Sequence, residues 1–549
     1  MQALRDLRRP RVLHPFMLAA CPVLALYGQN AATLTLDRTY PALLMFVGGA
    51  FVLWLLLARA CRDIHRAGAA TSLLLLSGFL AWPILETVIE YVVPIRGTLP
   101  TVIALVGVVI AIVAACTAWY LYARTRTGRI LIVVALIAGG VLVVATAPAF
   151  GRRAAIAIAL YLVVSMAVAG AIVRSNVDRF RLTSTGNVFG GALIVLYAGY
   201  ALMQERAQAT LPEWPSPNLN ANPIFESHAA ATDLPDLYVI ALDGYPRADV
   251  LRDAFQFDNG PYIKALAAQG INVADSVETM DTEPVQALAA CFNLAPVDTW
   301  LPDSLPDSAR AHYIQRALDE GRLLPALRES GYESIGFDSG IEALRPSSQF
   351  DRTLKPITVL SEFERILFDR TIAARALQWY FYVRYRNPVY WQFEPTRRYV
   401  EFAFDRLPRL SSQTSEQPRF VFAYVPVPEP PFLFREDGGR AYPYAIGPLD
   451  TARLFFDPQI HQRAFLDQLD YLNRRVVNAV REIQTTKKRP TQIVILSLRG
   501  AALRGTTEGP PARAQVFAAA SNSHITHTNS ATIALVEWFE MVLRDAVAP

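Results

Sequence analysis

Pro235-Asp236-Leu237-Tyr238-Val239-Ile240-Ala241-Leu242-Asp243-Gly244-Tyr245 is the stretch that decides the fold of the second half of the chain. Six apolar residues, Leu237 to Leu242, run without interruption into an aspartate and a glycine. A short continuous apolar run of this kind reads as a strand buried on both faces, the type found in parallel sheets covered by helices. Asp243 then stands at the strand's carboxyl tip, where open α/β sheets gather their functional groups. A carboxylate there suits a divalent cation, and an Asp before a Gly is equally an ordinary turn residue.

Outward from this strand the pattern repeats. Further strands are expected at Ile271–Ala274, Ser334–Phe337, Phe420–Val425 and Ile493–Ser497. Helices are expected near 246–269, 284–292, 307–329, 396–407, 461–484 and 530–543. Strands alternating with helices predict an α/β domain with a mostly parallel sheet, placed at 234–549.

The first part of the chain is unlike this. Of 549 residues, 52% are hydrophobic and only 18% charged, against about 25% charged in ordinary soluble domains. The apolar excess lies almost wholly before residue 205. Runs long enough to span a bilayer, about 20 residues each, fall at 11–29, 40–59, 69–89, 99–122, 129–148, 153–173 and 185–204. Seven spans over 1–204 are therefore expected, then a Pro- and Asn-rich linker over 205–233. Whether 129–173 crosses twice is the open point in that count.

Charge orients the spans. Arg5, Arg8, Arg9, Arg11, Arg59, Arg62, Arg66, Arg124, Arg126, Arg129, Arg174, Arg179 and Arg181 fall on one side, against Arg38, Arg96, Arg152 and Arg153 on the other. Positive-inside asymmetry puts the N-terminus in the cytoplasm and the domain after 205 outside it. Leu18-Ala19-Ala20-Cys21 resembles a lipoprotein cleavage box, but the apolar run continues past Cys21, whereas a signal segment ends at its cleavage site.

Residues 1–204 carry 17 arginines against 6 acidic residues, leaving 35 basic and 42 acidic residues for the remainder. An acidic soluble half excludes nucleic acid as a partner. Of four cysteines only Cys291 lies in that half, so it holds neither an internal disulfide nor a cysteine zinc cluster. Few ionisable groups interrupt the spans, which disfavours an ion-coupled transporter, where the domain would be accessory. Glu86 and Glu90 share a helix face, and they read as interfacial partners of Arg96 or as a lipid-headgroup grip.

Several pieces resemble a known family when taken in order. Asp236–Tyr245 with Arg247–Leu251 is followed by Gly336-Phe337-Asp338-Ser339-Gly340 and by Phe422-Ala423-Tyr424 leading to Pro428-Glu429-Pro430-Pro431-Phe432. Gln468–Asn473, Ile495–Gly500 and Thr526–Leu535 come after them, and His14-Pro15-Phe16 opens the first span. Together these resemble membrane-anchored sulfatase-like hydrolases and transferases of the alkaline phosphatase superfamily, similar to lipoteichoic acid synthases and phosphoethanolamine transferases. The resemblance implies a bacterial inner-membrane protein with a periplasmic domain. It also implies metal-assisted cleavage or transfer of phosphate or sulfate esters, using a hydroxyl nucleophile at a helix start and a Mn, Zn or Mg ion.

Residue by residue, the chain departs from that pattern. Asp243 matches the first metal carboxylate. The Asp-His metal pair falls on Leu498-Arg499, an apolar side chain and a permanent cation. The motif histidine is Glu429, and the nucleophile position falls on Pro284. Thr282 is the nearest hydroxyl; it reads as the N-cap of the helix that Pro284 opens, with a surviving nucleophile as the alternative. His524 and His527, with Asp338 as a third ligand, are the candidates for a rebuilt metal site.

The expectation is a degenerate site, with no cofactor, in which Arg499 pairs with Asp243 and Glu429. The implied role is binding of an envelope glycan or lipid headgroup, or support of a partner membrane enzyme. The alternative is an active metal-dependent hydrolase or transferase. The aromatic and arginine-rich segment Trp379–Trp391 reads as a half-buried helix or as a membrane or glycan surface.

Overall fold

The computed structural model describes residues 10–31, 34–87, 178–209, 234–281, 283–301, 305–357, 360–371, 373–374, 377, 390–441, 458–501, 514–521 and 532–547. Helices in chain order are α1 (His14–Gln29), α2 (Tyr40–Cys61), α3 (Ile64–Thr87), α4 (Arg179–Ala209), α5 (Ala248–Phe255), α6 (Gly260–Ala267) and α7 (Pro284–Asn293). They continue with α8 (Asp307–Asp319), α9 (Leu323–Glu329), α10 (Glu362–Asp369), α11 (Tyr390–Ser411), α12 (Pro458–Thr486) and α13 (Leu535–Val547). Strands are β1 (Asp236–Asp243), β2 (Ile271–Val273), β3 (Val277–Glu278), β4 (Glu333–Phe337), β5 (Arg352–Leu354), β6 (Arg419–Pro428), β7 (Thr491–Ser497), β8 (Ala518–Ser521) and β9 (Ile533–Ala534). Two compact units emerge, one of 1–210 with 360–389 and 446–449, the other holding the rest.

In the first unit, two helical stretches among the described residues are long and apolar enough to cross a membrane, Leu36–Cys61 and Arg179–Ala207. Both leave large apolar side chains such as Leu44, Leu56, Val188 and Val195 exposed, the surface that lipid rather than water would cover. The expected spans at 99–122, 129–148 and 153–173, with Glu90, Arg96, Arg152 and Arg153, lie outside the described residues. Helices α1 and α4 run parallel. The backbone N–H groups of Leu13 and His14 donate to Asn187 Oδ1 at 3.1 and 2.9 Å, and at the other end Tyr27 donates its hydroxyl to Glu205.

Small residues permit this close pairing. A Cβ on Gly186 would stand 2.9 Å from the His14 ring, and one on Gly190 3.2 Å from Met17 Cβ. Arg179 reaches Asp63 in the α2–α3 turn at 3.2 Å, so the start of α4 and that turn lie together. The stretch around α10, expected within the domain beginning at 234, groups instead with this unit. Ser361 and Glu364 close a capping box on α10, and Phe363 and Leu367, one turn apart, join Val23, Leu26 and Tyr27 in one apolar cluster.

The second unit is built on a seven-stranded sheet in the order β2-β8-β7-β1-β6-β4-β5. Five neighbouring strands, β7-β1-β6-β4-β5, are parallel, and β8 runs against both β7 and β2. Every residue of β1 is buried, and its side chains alternate between two apolar layers. Leu237, Val239 and Ala241 face a layer filled by α7, α8, α9 and α13; Tyr238, Ile240 and Leu242 face another filled by α5, α6, α11 and α12. Each such fully buried large aliphatic side chain contributes roughly 1.5–3 kcal/mol, and β1 supplies such side chains to both layers.

Two expected helices are broken in two. The 246–269 helix stops at Gln256, which takes a left-handed conformation, and restarts at Gly260-Pro261. The 307–329 helix pauses around Gly321, where a Cβ would come within 3.0 Å of the Phe292 carbonyl.

Candidate functional site

Three chain segments meet at the carboxyl edge of β1. Asp243, 4% exposed, ends that strand. The β1–β6 register slips between Leu242 and Asp243, so that Asp243 pairs with Pro428. This brings Glu429 alongside, its N–H donating to the Asp243 carbonyl at 2.9 Å. Gly244 makes the approach possible. It has φ +77, and a Cβ there would stand 2.5 Å from Glu429 Oε2 and 2.8 Å from Glu429 Cβ.

From the other side, Leu498 N–H donates to the Leu242 carbonyl at 3.0 Å. The Leu498 side chain is buried in the apolar layer of Val239 and Ala241, and Arg499 turns onto Asp243. Its Nε donates to Asp243 Oδ1 at 2.7 Å and its Nη2 to Oδ2 at 3.2 Å. The same Nη2 lies 3.5 Å from Glu429 Oε1. Tyr424 of β6 donates its hydroxyl to Asp243 Oδ2 at 2.8 Å, and Tyr399 of α11 donates to the Tyr424 carbonyl at 2.6 Å.

Electrostatics locks this arrangement. Burial opposes the charge on Arg499, but the Asp243 and then the Glu429 carboxylates overcome it and hold the guanidinium above its ordinary proton affinity. Burial, with Asp243 beside it, likewise keeps the Tyr424 phenol protonated. Gln468 fixes the Glu429 loop from α12, donating to the Pro428 carbonyl at 3.0 Å and accepting from Leu433 N–H at 2.6 Å.

A divalent cation does not fit this donor set. Both oxygens of Asp243 are engaged by Arg499, itself a permanent cation that would repel a metal ion there, and Leu498 has no lone pair to offer. Among the described residues no three His, Cys, Asp or Glu side chains are grouped to hold a metal ion.

The other sequence candidates are dispersed. Asp338, at the end of β4, accepts from Gly340 N–H at 2.9 Å and lies 3.8 Å from Arg345. Pro284 is the first residue of α7, and the N-cap is Glu283, without a side-chain cap bond. The expectation of a Thr282 cap is thus corrected by one residue, because proline at the first helical position makes its predecessor the cap. Thr282, His524 and His527 lie outside the described residues, as does most of Trp379–Trp391. Cys291, buried in α7, has its thiol pushed up to about 12 by burial, which leaves it unreactive.

Sequence reasoning missed Tyr424 and Tyr399. The signal was present for Tyr424, since the alternation Phe420-Val421-Phe422-Ala423-Tyr424 places one phenol at the end of a strand beside β1.

No protein-family model matches the chain, and no curated protein matches it. Solved structures with similar architecture include the integral membrane protein lipooligosaccharide phosphoethanolamine transferase A from Neisseria meningitidis. It is 11% identical, with a TM-score of 0.38, over 86% of this chain and 94% of that one. The zinc complex of the C-terminal periplasmic domain of EptC from Escherichia coli is 11% identical, with a TM-score of 0.36, over 57% of this chain and 82% of that one. BT1596, a 2-O glycosaminoglycan sulfatase, is 12% identical, with a TM-score of 0.36, over 57% of this chain and 71% of that one. The chain is similar to membrane-anchored phosphoethanolamine transferases and sulfatase-like members of the alkaline phosphatase superfamily.

Proposed function

We propose that this is a membrane-anchored, sulfatase-like protein of the bacterial inner membrane whose periplasmic α/β domain binds its ligand without cleaving it. The single observation that carries this reading is the Arg499 guanidinium on both oxygens of Asp243. It fills with protein the position where an ester-cleaving site needs a metal, and the ion pair holds itself together without one. Asp243, Glu429 and Arg499 sum to one negative charge. The centre therefore suits hydroxyl-rich or amine-bearing groups, such as an envelope glycan or an amine headgroup, better than a bare phosphate.

The placement has its own support. The parallel run of α1 and α4 supports a topology in which the chain before α1 and the chain after α4 are on opposite sides of the membrane. The arginine asymmetry makes the first side cytoplasmic.

A second reading, an active metal-dependent hydrolase or transferase of phosphate or sulfate esters, is favoured by the order of the motif matches along the chain. It would use Asp243 and Thr282, with His524, His527 and Asp338 as the candidates for further metal ligands. Turnover decides between them. The full-length chain, supplied with Mn²⁺, Zn²⁺ or Mg²⁺, is expected to hydrolyse neither bis-p-nitrophenyl phosphate nor p-nitrophenyl sulfate. Hydrolysis that disappears in Thr282→Ala would establish the enzyme and overturn the binding reading.

A further inference from the structure

Away from Asp243, a groove of about 550 Å³ runs between α12 and the segment from Phe257 into α6, a volume within the usual range of small-molecule sites, roughly 300–1,000 Å³. One wall is a face of α12. Asp470, the adjacent pair Asn473 and Arg474, Asn478 and Arg481 follow one another at about one helical turn and border the stripe of Leu469, Leu472, Val476 and Val480 that anchors the helix in the core. The opposite wall carries Asp258 and Asn259, and Pro261 and Val477 supply apolar surface between the polar groups.

The inner end of the groove is built rather than incidental. Asn259 occupies the N-cap position of α6 but makes no side-chain cap bond. Its Oδ1 instead accepts from Asn473 Nδ2 at 3.3 Å, and the buried Tyr245 hydroxyl shares its one proton between Asn473 Oδ1 at 2.8 Å and Asn259 Oδ1 at 3.1 Å. Tyr245 N–H in turn donates to Ser497 Oγ at 3.0 Å, so the groove is held by the same two strand ends that carry Asp243 and Arg499. Asn259 Nδ2 and the Tyr262 hydroxyl, on side chains 3% and 5% exposed, have no hydrogen-bond partner among the described residues. Both atoms are sealed from solvent beneath the groove, so they belong to its packed floor, and the ligand-facing surface is supplied by the exposed Arg474, Asn478 and Arg481.

Charge and shape narrow the ligand. Asp258 and Asp470 balance Arg474 and Arg481, so the groove offers no net attraction to a phosphate or to a cation. Carboxamides, carboxylates and guanidiniums side by side present donors and acceptors in pairs, which is what vicinal hydroxyls require. The interspersed apolar patches suit the C–H faces of a sugar ring.

We propose that the α6–α12 groove is a binding site for a neutral glycan segment. This deepens the binding reading by naming a ligand class, and rests on it only for the periplasmic location. The test titrates maltotriose, cellotriose and N,N′,N″-triacetylchitotriose into the full-length chain in nanodiscs, with glucose 6-phosphate as the charged comparison. At least one neutral trisaccharide should bind, and the double variant Asn478→Ala/Arg481→Ala, which alters only exposed positions, should weaken it about tenfold or more. Absence of binding by all three trisaccharides, binding unaltered by the double variant, or preference for the phosphate would each overturn the assignment. Because ester turnover is read separately, failure of the groove and failure of the non-catalytic reading are distinguishable.

Discussion

The guanidinium of Arg499 spans the carboxylate of Asp243, with Nε 2.7 Å from Oδ1 and Nη2 3.2 Å from Oδ2. Both groups are nearly buried, and Glu429 and Tyr424 complete the cluster. Removing one member of a buried pair leaves an uncompensated charge, costing about 3–5 kcal/mol. Arg499→Met should therefore lower the melting temperature of the second unit sharply. The double variant Arg499→Met/Asp243→Asn should recover part of the loss, because the two effects are not additive. Equal loss in the single and additive loss in the double would show that the pair carries no coupling.

Gly244 and Gly340 provide a matched comparison. Both have positive φ, +77 and +76, but a Cβ on Gly244 would meet Glu429 whereas one on Gly340 would meet nothing within 4 Å. Alanine at Gly340 should cost about 1–2 kcal/mol for the backbone alone. Alanine at Gly244 should cost clearly more and displace Glu429 from Arg499. Equal melting temperatures for the two variants would mean that Glu429 is not held where described.

Asp281, just before the start of α7, has its carboxyl pushed up to about 6, chiefly by burial and then by Asp298, with Arg310 opposing. An unfolded aspartate carboxyl titrates near its ordinary 3.8. Between these values the folded chain holds more protons than the unfolded one, so stability falls as pH rises from about 4 to 6 and is level above that. The drop is on the order of 3 kcal/mol. Asp281→Asn should flatten this part of the pH–stability curve and raise the melting temperature at pH 7. An unchanged curve would contradict the burial of an ionisable carboxyl there.

Much of the second unit was legible in the sequence because its strands are short apolar runs bounded by turn residues. Leu237–Leu242, Phe420–Val425 and Ile493–Ser497 each fall inside an observed strand, lengthened at the ends by sheet pairing. Strand β8 escaped notice because Ala518-Ala519-Ala520 has no β-branched or aromatic residue; it is a strand only through its pairing with β7 and β2. Helix α10 was unreadable as part of the first unit, since its amphipathic spacing shows that one face is buried but not against what. At the site, the departures at Leu498, Arg499 and Glu429 were visible as residue types. Their assembly with Tyr424 required the β1–β6 slip, which no local pattern reports.

The most direct test of the account is the metal content of the full-length chain, purified and exposed to Mn²⁺, Zn²⁺ and Mg²⁺, with Asp243→Ala measured alongside. An ion pair in place of the metal predicts no stoichiometric metal in either protein. Near-stoichiometric metal in the wild type that disappears in Asp243→Ala would contradict it, and would show Asp243 to be a ligand rather than the partner of Arg499.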